Sequence, residues 1–261
     1  MTHRARKRFG QNFLHDRAVI ARIIAAIHPQ PGEALVEIGP GLGALTRELL
    51  PRVNALEVIE LDRDVIPLLE QACRGLGTLH VHQADALHFD FAALPRGEKK
   101  LRVVGNLPYN IATPLLFHLF TQAHAIRDMH FMLQKEVVER MVAAPGTEHY
   151  GRLSLMVQFH CAAHQLFTVG PEAFKPAPKV DSAIVRLLPH AAPPVEVPDV
   201  EQFSTLVAQA FSQRHKTIRN ALKGTVNDAQ FAACDIDPGA RAEQLALEDF
   251  ARLSRALPGN R

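Results

Sequence analysis

The sequence predicts an α/β chain: a Rossmann-like, mostly parallel sheet with an antiparallel last strand, followed by a small all-helical C-terminal domain. Three observations carry that expectation. From about residue 34 to residue 134, short β-branched or Leu-rich runs alternate with helical patterns, as a parallel sheet with helices on both faces requires. Two more strand-like runs then follow one another without a long crossover, which suggests an antiparallel edge. Finally, Pro189–Pro198 holds four prolines in ten residues and no helical period, and beyond it the pattern stays helical. The expected division is 1–188 for the sheet domain with a basic N-terminal arm, 189–198 for a linker, and 199–261 for the helical domain.

Taken in order, the first helix is expected at Arg17–Ile27 and the first strand at Ala34–Ile38, which runs into Gly39-Pro40-Gly41-Leu42-Gly43. A helix at Leu42–Leu50 leads to a strand at Leu56–Leu61, then a helix at Val65–Arg74 and a strand at Thr78–His82. Strand Leu101–Gly105, helix Pro114–Gln122 and strand Ile126–Leu133 complete the alternation, and Leu153–His160 and Val180–Leu188 are the closing strands. In the last segment Phe211, Ile218 and Leu222 are spaced by seven and four, which places them on one helical face, with Lys216, Arg219 and Lys223 on another.

At 261 residues and 47% hydrophobic content, the chain can bury one full α/β core and a small second one. Net charge is only +2, so a case for nucleic acid rests on where charge sits. Arg4, Arg6, Lys7 and Arg8 cluster at the start, and Arg214, His215, Lys216, Arg219 and Lys223 form a second group; both suit a phosphate backbone, the plainer readings being a disordered basic tail for the first and a solvated charged face for the second. Cys73, Cys161 and Cys234 are odd in number and lack CxxC spacing, against a disulfide framework or a zinc site. His80 and His82 share a strand face without a third ligand at metal spacing, so no metal is expected. No apolar run reaches the ~20 residues of a membrane span, and polar Gln11-Asn12 follows the basic start in place of a secretory core, so a cytoplasmic protein is expected.

The glycine-rich turn after Ala34–Ile38 lets backbone approach a ligand closely, and Glu60, ending the next strand, can accept both hydroxyls of a ribose. Gly39, Gly41 and Ala44 fit a dinucleotide fingerprint equally well, so this loop alone does not separate S-adenosylmethionine from NAD. Asp85, after the third strand, is placed to accept from an adenine amine, although Asp there is commonly a turn former. Strand Leu101–Gly105 ends in Asn106-Leu107-Pro108-Tyr109, at the carboxyl edge where open α/β sheets bind ligands. The side-chain oxygen of Asn106 and the carbonyl of Leu107 can accept from both N–H groups of an adenosine N6 amine, drawing its delocalised lone pair toward the nitrogen. Pro108 fixes the turn that aims the carbonyl, and Tyr109 can stack on the base.

With these motifs in order, the chain resembles the ribosomal RNA adenine N6,N6-dimethyltransferases, the KsgA-like family, over nearly its whole length. Lys7-Arg8-Phe9-Gly10-Gln11-Asn12-Phe13-Leu14 looks like that family's N-terminal motif, and the resemblance implies cofactor contacts from Asn12 and Leu14. Phe174, in Phe174-Lys175-Pro176-Ala177-Pro178, looks like the loop aromatic implied to stack on a flipped adenine opposite Tyr109. Phe211-Ser212-Gln213-Arg214-His215-Lys216 resembles the start of the family's helical domain, with His215 where Arg is more usual. The resemblance implies a class I methyltransferase sheet, S-adenosylmethionine as methyl donor, and as substrate two adjacent adenosines in the 3′ hairpin loop of small-subunit RNA within an immature subunit. A monomer is expected.

Rival readings are a resistance-type methyltransferase of large-subunit RNA, a DNA adenine methyltransferase, an NAD-dependent oxidoreductase and a catalytically silent RNA-binding relative. The Asn110–Leu116 continuation and Pro178-Lys179-Val180-Asp181-Ser182 stand closer to the small-subunit family. A DNA enzyme more usually carries Asp-Pro-Pro-Tyr, an oxidoreductase has no use for Asn106–Tyr109, and a silent relative usually loses a motif residue.

Overall fold

The computed structural model describes residues 12–108, 110–213 and 215–258. The chain divides into two compact units, Met1–Val138 with His164–Pro189, and Glu139–Ala163 with His190–Arg261. The second unit thus takes in residues 139–163, a segment that the sequence reading assigns to the sheet domain.

The first unit opens with the two-residue strand β1 (Phe13–Leu14) and helix α1 (Arg17–Ile27). Asp16 caps α1 by accepting from the N–H groups of Ala18 and Val19, at 2.8 and 3.0 Å, satisfying donors that a helix start leaves open. The sheet-forming elements follow: β2 (Leu35–Ile38), α2 (Thr46–Val53), β3 (Ala55–Glu60), α3 (Ile66–Cys73), β4 (Thr78–Gln83), β5 (Leu101–Asn106), α4 (Ala112–Thr121) and β6 (Ile126–Gln134). Helices α5 (Lys135–Val142) and α6 (Arg152–His160) come next, then β7 (Cys161–Val169), the short β8 (Phe174–Lys175) and β9 (Ser182–Pro189).

Seven strands order as β4-β3-β2-β5-β6-β9-β7. The pairs among β4, β3, β2, β5 and β6 are parallel, and β9 runs antiparallel to β6. Ile38 stands opposite both Ile59 and Gly105, so β2, β3 and β5 finish nearly level and present their carboxyl ends together. A Cβ at Gly105 would sit 2.6 Å from the Ile38 carbonyl oxygen, so glycine is what permits this approach of β5 to β2. Buried Ile23, Ile24 and Ile27 of α1 and Leu49, Leu50 and Val53 of α2 pack in one core with Leu35, Leu56 and Val104. Each such side chain contributes roughly 1.5–3 kcal/mol of transfer free energy.

Four expectations need correction. Helix α2 starts at Thr46 instead of Leu42, because Gly43 adopts φ +83°, outside the helical region, and it continues through Pro51 to Val53. Leu153–His160 is helical: Leu153, Leu155, Val157 and Phe159 alternate as in a strand, but the segment buries Ser154, Leu155, Met156, Val157 and Phe159 as a helix, and the strand begins only at Cys161. The antiparallel strand β9 is not the edge, since β7 lies outside it. Phe211, Ile218 and Leu222 do not share a helix, for α7 (Val200–Ala210) ends before Phe211 and the short α8 (Ile218–Ala221) starts after a turn.

The second unit is completed by α9 (Asp228–Ala233) and α10 (Leu247–Ala256). Its interior is aromatic: Tyr150, Phe211 and Phe250 are linked by ring separations of 6.1 and 5.8 Å, and Phe159 lies 4.9 Å from Phe203. The Tyr150 hydroxyl donates to the Leu245 carbonyl at 3.0 Å, so its polar end is satisfied in the core.

Candidate active site

At the carboxyl ends of β2, β3 and β5 a cavity of about 340 Å³ opens, within the ~300–1,000 Å³ range of small-molecule sites. It gathers Asn12, Leu14, Gly39, Gly41, Glu60 and Asp85 in its walls, and with them Asn106, Leu107, Pro108 and Phe174. Parts of the sequence up to 162 residues apart thus meet in one place. Tyr109 lies outside the described residues, as do Arg4, Arg6, Lys7, Arg8 and Arg214.

The glycine turn forms as it does because Gly39 and Gly41 adopt φ +65° and +53°, conformations that L side chains rarely hold. The bend aims the Gly41 N–H at Glu60 Oε2, 3.2 Å away, while Glu60 Oε1 accepts from the Asp62 N–H at 2.8 Å. Each carboxylate oxygen keeps a lone pair for a ligand hydroxyl. Glu60 is only 7% exposed. Burial raises its pKa, and the N–H bonds from Asp62 and Gly41 partly offset that rise. Beside it on β2, Glu37 is 2% exposed and accepts the Thr46 hydroxyl at 2.7 Å. Burial, helped by the neighbouring Glu60 charge, pushes the Glu37 pKa up to about 7 against the pull of that hydroxyl.

Asp85 has one oxygen committed to the Leu87 N–H at 2.9 Å, with His88 Nδ1 3.4 Å from the other. It is both the turn former and a wall of the cavity. Asn106 donates its side-chain N–H to the Asn12 carbonyl at 3.2 Å, which fixes the amide and leaves its oxygen as the end available to accept. The Leu107 N–H is held by the Met132 carbonyl at 3.2 Å. Strand β1 pairs antiparallel with β8, Leu14 opposite Phe174, so these two short strands close one wall together. The Phe174 ring is 4% exposed and belongs to the core as well as to the cavity.

Sequence reasoning passed over two groups. Glu37 was visible only as the start of the glycine loop, and its burial against Thr46 needed the fold. Leu61 lines the cavity at 51% exposure; an apolar residue directly after a carboxylate at a strand end was the available signal. His82, by contrast, is accounted for by Glu57, 2.6 Å away across the β3–β4 pair.

The described lining carries three carboxylates, Glu37, Glu60 and Asp85, and no Lys, Arg or His. Such a wall suits a cationic ligand better than the pyrophosphate of a dinucleotide. Comparison with known proteins agrees: a family model described as Ribosomal RNA adenine dimethylase matches residues 2–258. The chain belongs to the ribosomal RNA adenine dimethylase family. Within it, the chain is 58% identical over 257 residues to Ribosomal RNA small subunit methyltransferase A of Methylococcus capsulatus, covering 98% of this chain and 99% of that one. The Pseudomonas aeruginosa protein of the same name is 57% identical over 262 residues, covering 99% and 98%. Among solved structures, a dimethyladenosine transferase from Plasmodium falciparum superposes with a TM-score of 0.79 at 26% identity, covering 92% of this chain and 95% of that one. The 23S rRNA methyltransferase ErmE gives 0.71 at 29% identity, covering 94% and 99%. The adenine dimethylase sheet, mostly parallel with one antiparallel strand, is thus the one the sequence predicts.

Proposed function

We propose that the cavity and the Asn106-Leu107-Pro108-Tyr109 turn together carry out dimethylation of two adjacent adenosines in the 3′-terminal hairpin loop of small-subunit RNA, within an immature subunit. As an adenine dimethylase, the chain is an S-adenosylmethionine-dependent methyltransferase of small-subunit ribosomal RNA. The observation that carries the site assignment is an acidic cavity, without a described cation, opening beside the Asn106 turn. When bound, the cofactor supplies a methyl group made electrophilic by its sulfonium.

The residues divide the remaining work. Glu60 holds ribose hydroxyls, with Gly39 and Gly41 giving close backbone approach and Asn12, Leu14 and Asp85 closing the site. Asn106 Oδ1 and the Leu107 carbonyl accept from the adenosine amine, orient it, and localise its lone pair; Pro108 keeps the carbonyl aimed. Phe174 and Tyr109 are the aromatic walls for an unstacked base. Lys216, Arg219 and Lys223 are exposed and, with Arg214 and the basic arm, form the phosphate-binding set, although Arg219 already pairs with Asp228 at 2.9 Å. Among the described residues no helix is long and apolar enough to cross a membrane. The working form is a cytoplasmic monomer on the ribosomal particle.

The test is to supply methyl-labelled donor and small subunits lacking the modification, with large-subunit RNA in parallel, and to map labelled nucleosides by mass spectrometry. N6,N6-dimethyladenosine confined to the 3′ hairpin loop is the expected result. Label in large-subunit RNA, where the ErmE likeness points, would overturn the substrate assignment.

A further inference from the structure

We infer that Glu37 is a charge sensor in the cofactor cavity: near neutrality it is partly protonated until the cationic methyl donor binds, gives up that share of a proton to solvent on binding, and so helps distinguish the donor from its demethylated product. The inference rests on the cofactor reading above.

Two carboxylates on adjacent strands share this cavity and are equipped differently. Glu60 has backbone N–H groups on both oxygens, the arrangement that favours the ionised form. Glu37, more deeply buried, has one hydrogen bond, from Thr46, itself buried. The titratable groups near it are Glu60 on β3, with Asp62 beyond it, and the buried thiol Cys73 on α3, whose own pKa is raised by burial and then by Glu37. Arg47 acts on Cys73, but no Lys, Arg or His pairs with Glu37 among the described residues. Asp85 and Asn106 complete the facing wall and add no positive charge. With two acids in one buried place and one set of N–H donors between them, Glu37 is the one that takes up a proton first.

Burial holds the Glu37 pKa at about 7, so near neutrality a nearby positive charge decides its state. The methyl donor brings a sulfonium and an ammonium. The product keeps the ammonium and has an uncharged thioether. An opposite charge within several ångströms lowers a carboxylate pKa by about 1–3 units. Linkage then requires donor binding to release up to about half a proton at pH 7, and donor affinity to rise about tenfold from pH 6 to pH 8, with a smaller change for product. Four transfers per substrate require the donor to replace spent product repeatedly, and a charge-dependent group favours that exchange.

The experiment is titration calorimetry of wild type and Glu37→Gln with donor and with product, in buffers of different ionisation enthalpy at pH 7. The ligand's own amine titrates nearby, and comparison of the two proteins removes it. The expected result is buffer-dependent heat for the donor in wild type, falling to the product's level in Glu37→Gln, whose retained product binding shows that it folds. Should Glu37→Gln fail to fold, Thr46→Val removes the single hydrogen bond to Glu37 and is expected to move half-release to higher pH. Proton uptake, or a release unchanged by these substitutions, overturns the proposal while donor binding stands. Absence of donor binding in every buffer overturns the cofactor reading and the proposal with it.

Discussion

The two ends of the same parallel strands bury charge in opposite ways. At the amino ends, Arg102 of β5 lies buried between Asp128 of β6, at 2.9 Å, and Glu33, at 2.7 Å, with Arg127 closing on Glu33 at 2.8 Å and the Ile27 carbonyl accepting from a third guanidinium nitrogen. Every charge there has a partner. At the carboxyl ends, Glu37 and Glu60 are buried as deeply with hydroxyl and N–H donors alone. The paired end is arranged for stability, and the acidic end leaves its charge to be balanced by a ligand. Even the paired end is imperfect, since neither ring nitrogen of buried His130 has a hydrogen-bond partner, and burial drives its pKa down to about 4.

Substitutions at the two ends should therefore separate activity from stability. Asn106→Ala is expected to reduce methyl transfer by at least about 100-fold with little change in melting temperature, read by label incorporation and thermal unfolding. Arg102→Met leaves buried Asp128 and Glu33 with only the half-exposed Arg127 as cation and should cost about 3–5 kcal/mol in urea unfolding, with cofactor affinity per folded molecule unchanged. If Arg102→Met instead abolished cofactor binding at full stability, the contrast between the ends would fail. Glu60→Gln is expected to weaken cofactor affinity by about tenfold, the cost of about one charge-assisted hydrogen bond, measured by calorimetry.

The pH dependences should run in opposite directions. Burial alone would raise the Glu33 pKa, yet the Gln30 N–H and the Arg102 and Arg127 guanidiniums hold it below the ordinary 4.5. Its stabilisation is present above about 4.5 and is lost as pH falls through the folded value. Glu37 is raised, so between about 4.5 and 7 the folded chain keeps a proton the unfolded chain has shed, and stability falls as pH rises through that window. Glu37→Gln should flatten this neutral-side slope and leave the acid-side loss intact, as followed by unfolding free energy against pH. The smallest effect belongs to the exposed Arg219–Asp228 pair, where Arg219→Ala should change stability by less than about 0.5 kcal/mol while weakening subunit binding in a salt-dependent way.

The sheet from β2 to β6 was legible because its strands alternate with periodic helices and its turns are marked by Gly39–Gly43 and Asn106-Leu107-Pro108. The run 153–160 was not, since Leu153, Leu155, Val157 and Phe159 alternate as a strand would, and only packing in the fold makes the segment helical. The roles of local motifs were readable one by one, whereas the geometry joining them is long-range. The hold of the Asn12 carbonyl on Asn106 spans 94 residues, and the pairing of Leu14 with Phe174 joins opposite ends of the unit. Glu37 illustrates the same limit, because its titration depends on burial and on Glu60 across the strand pair, neither of which the motif Glu37–Gly43 encodes by spacing.

The placement of β9 between β6 and β7 has a consequence for synthesis on the ribosome. Strand β7 emerges before the strand it hydrogen-bonds, and β6 keeps one side open until Ser182–Pro189 has been made. A nascent chain arrested before Ser182 carries two unpaired strand flanks, the feature that invites wrong association. The sheet is closed by its last translated strand, so a chain that ends after Pro189 holds every strand of the sheet, while one that ends a few codons upstream of Ser182 leaves it open.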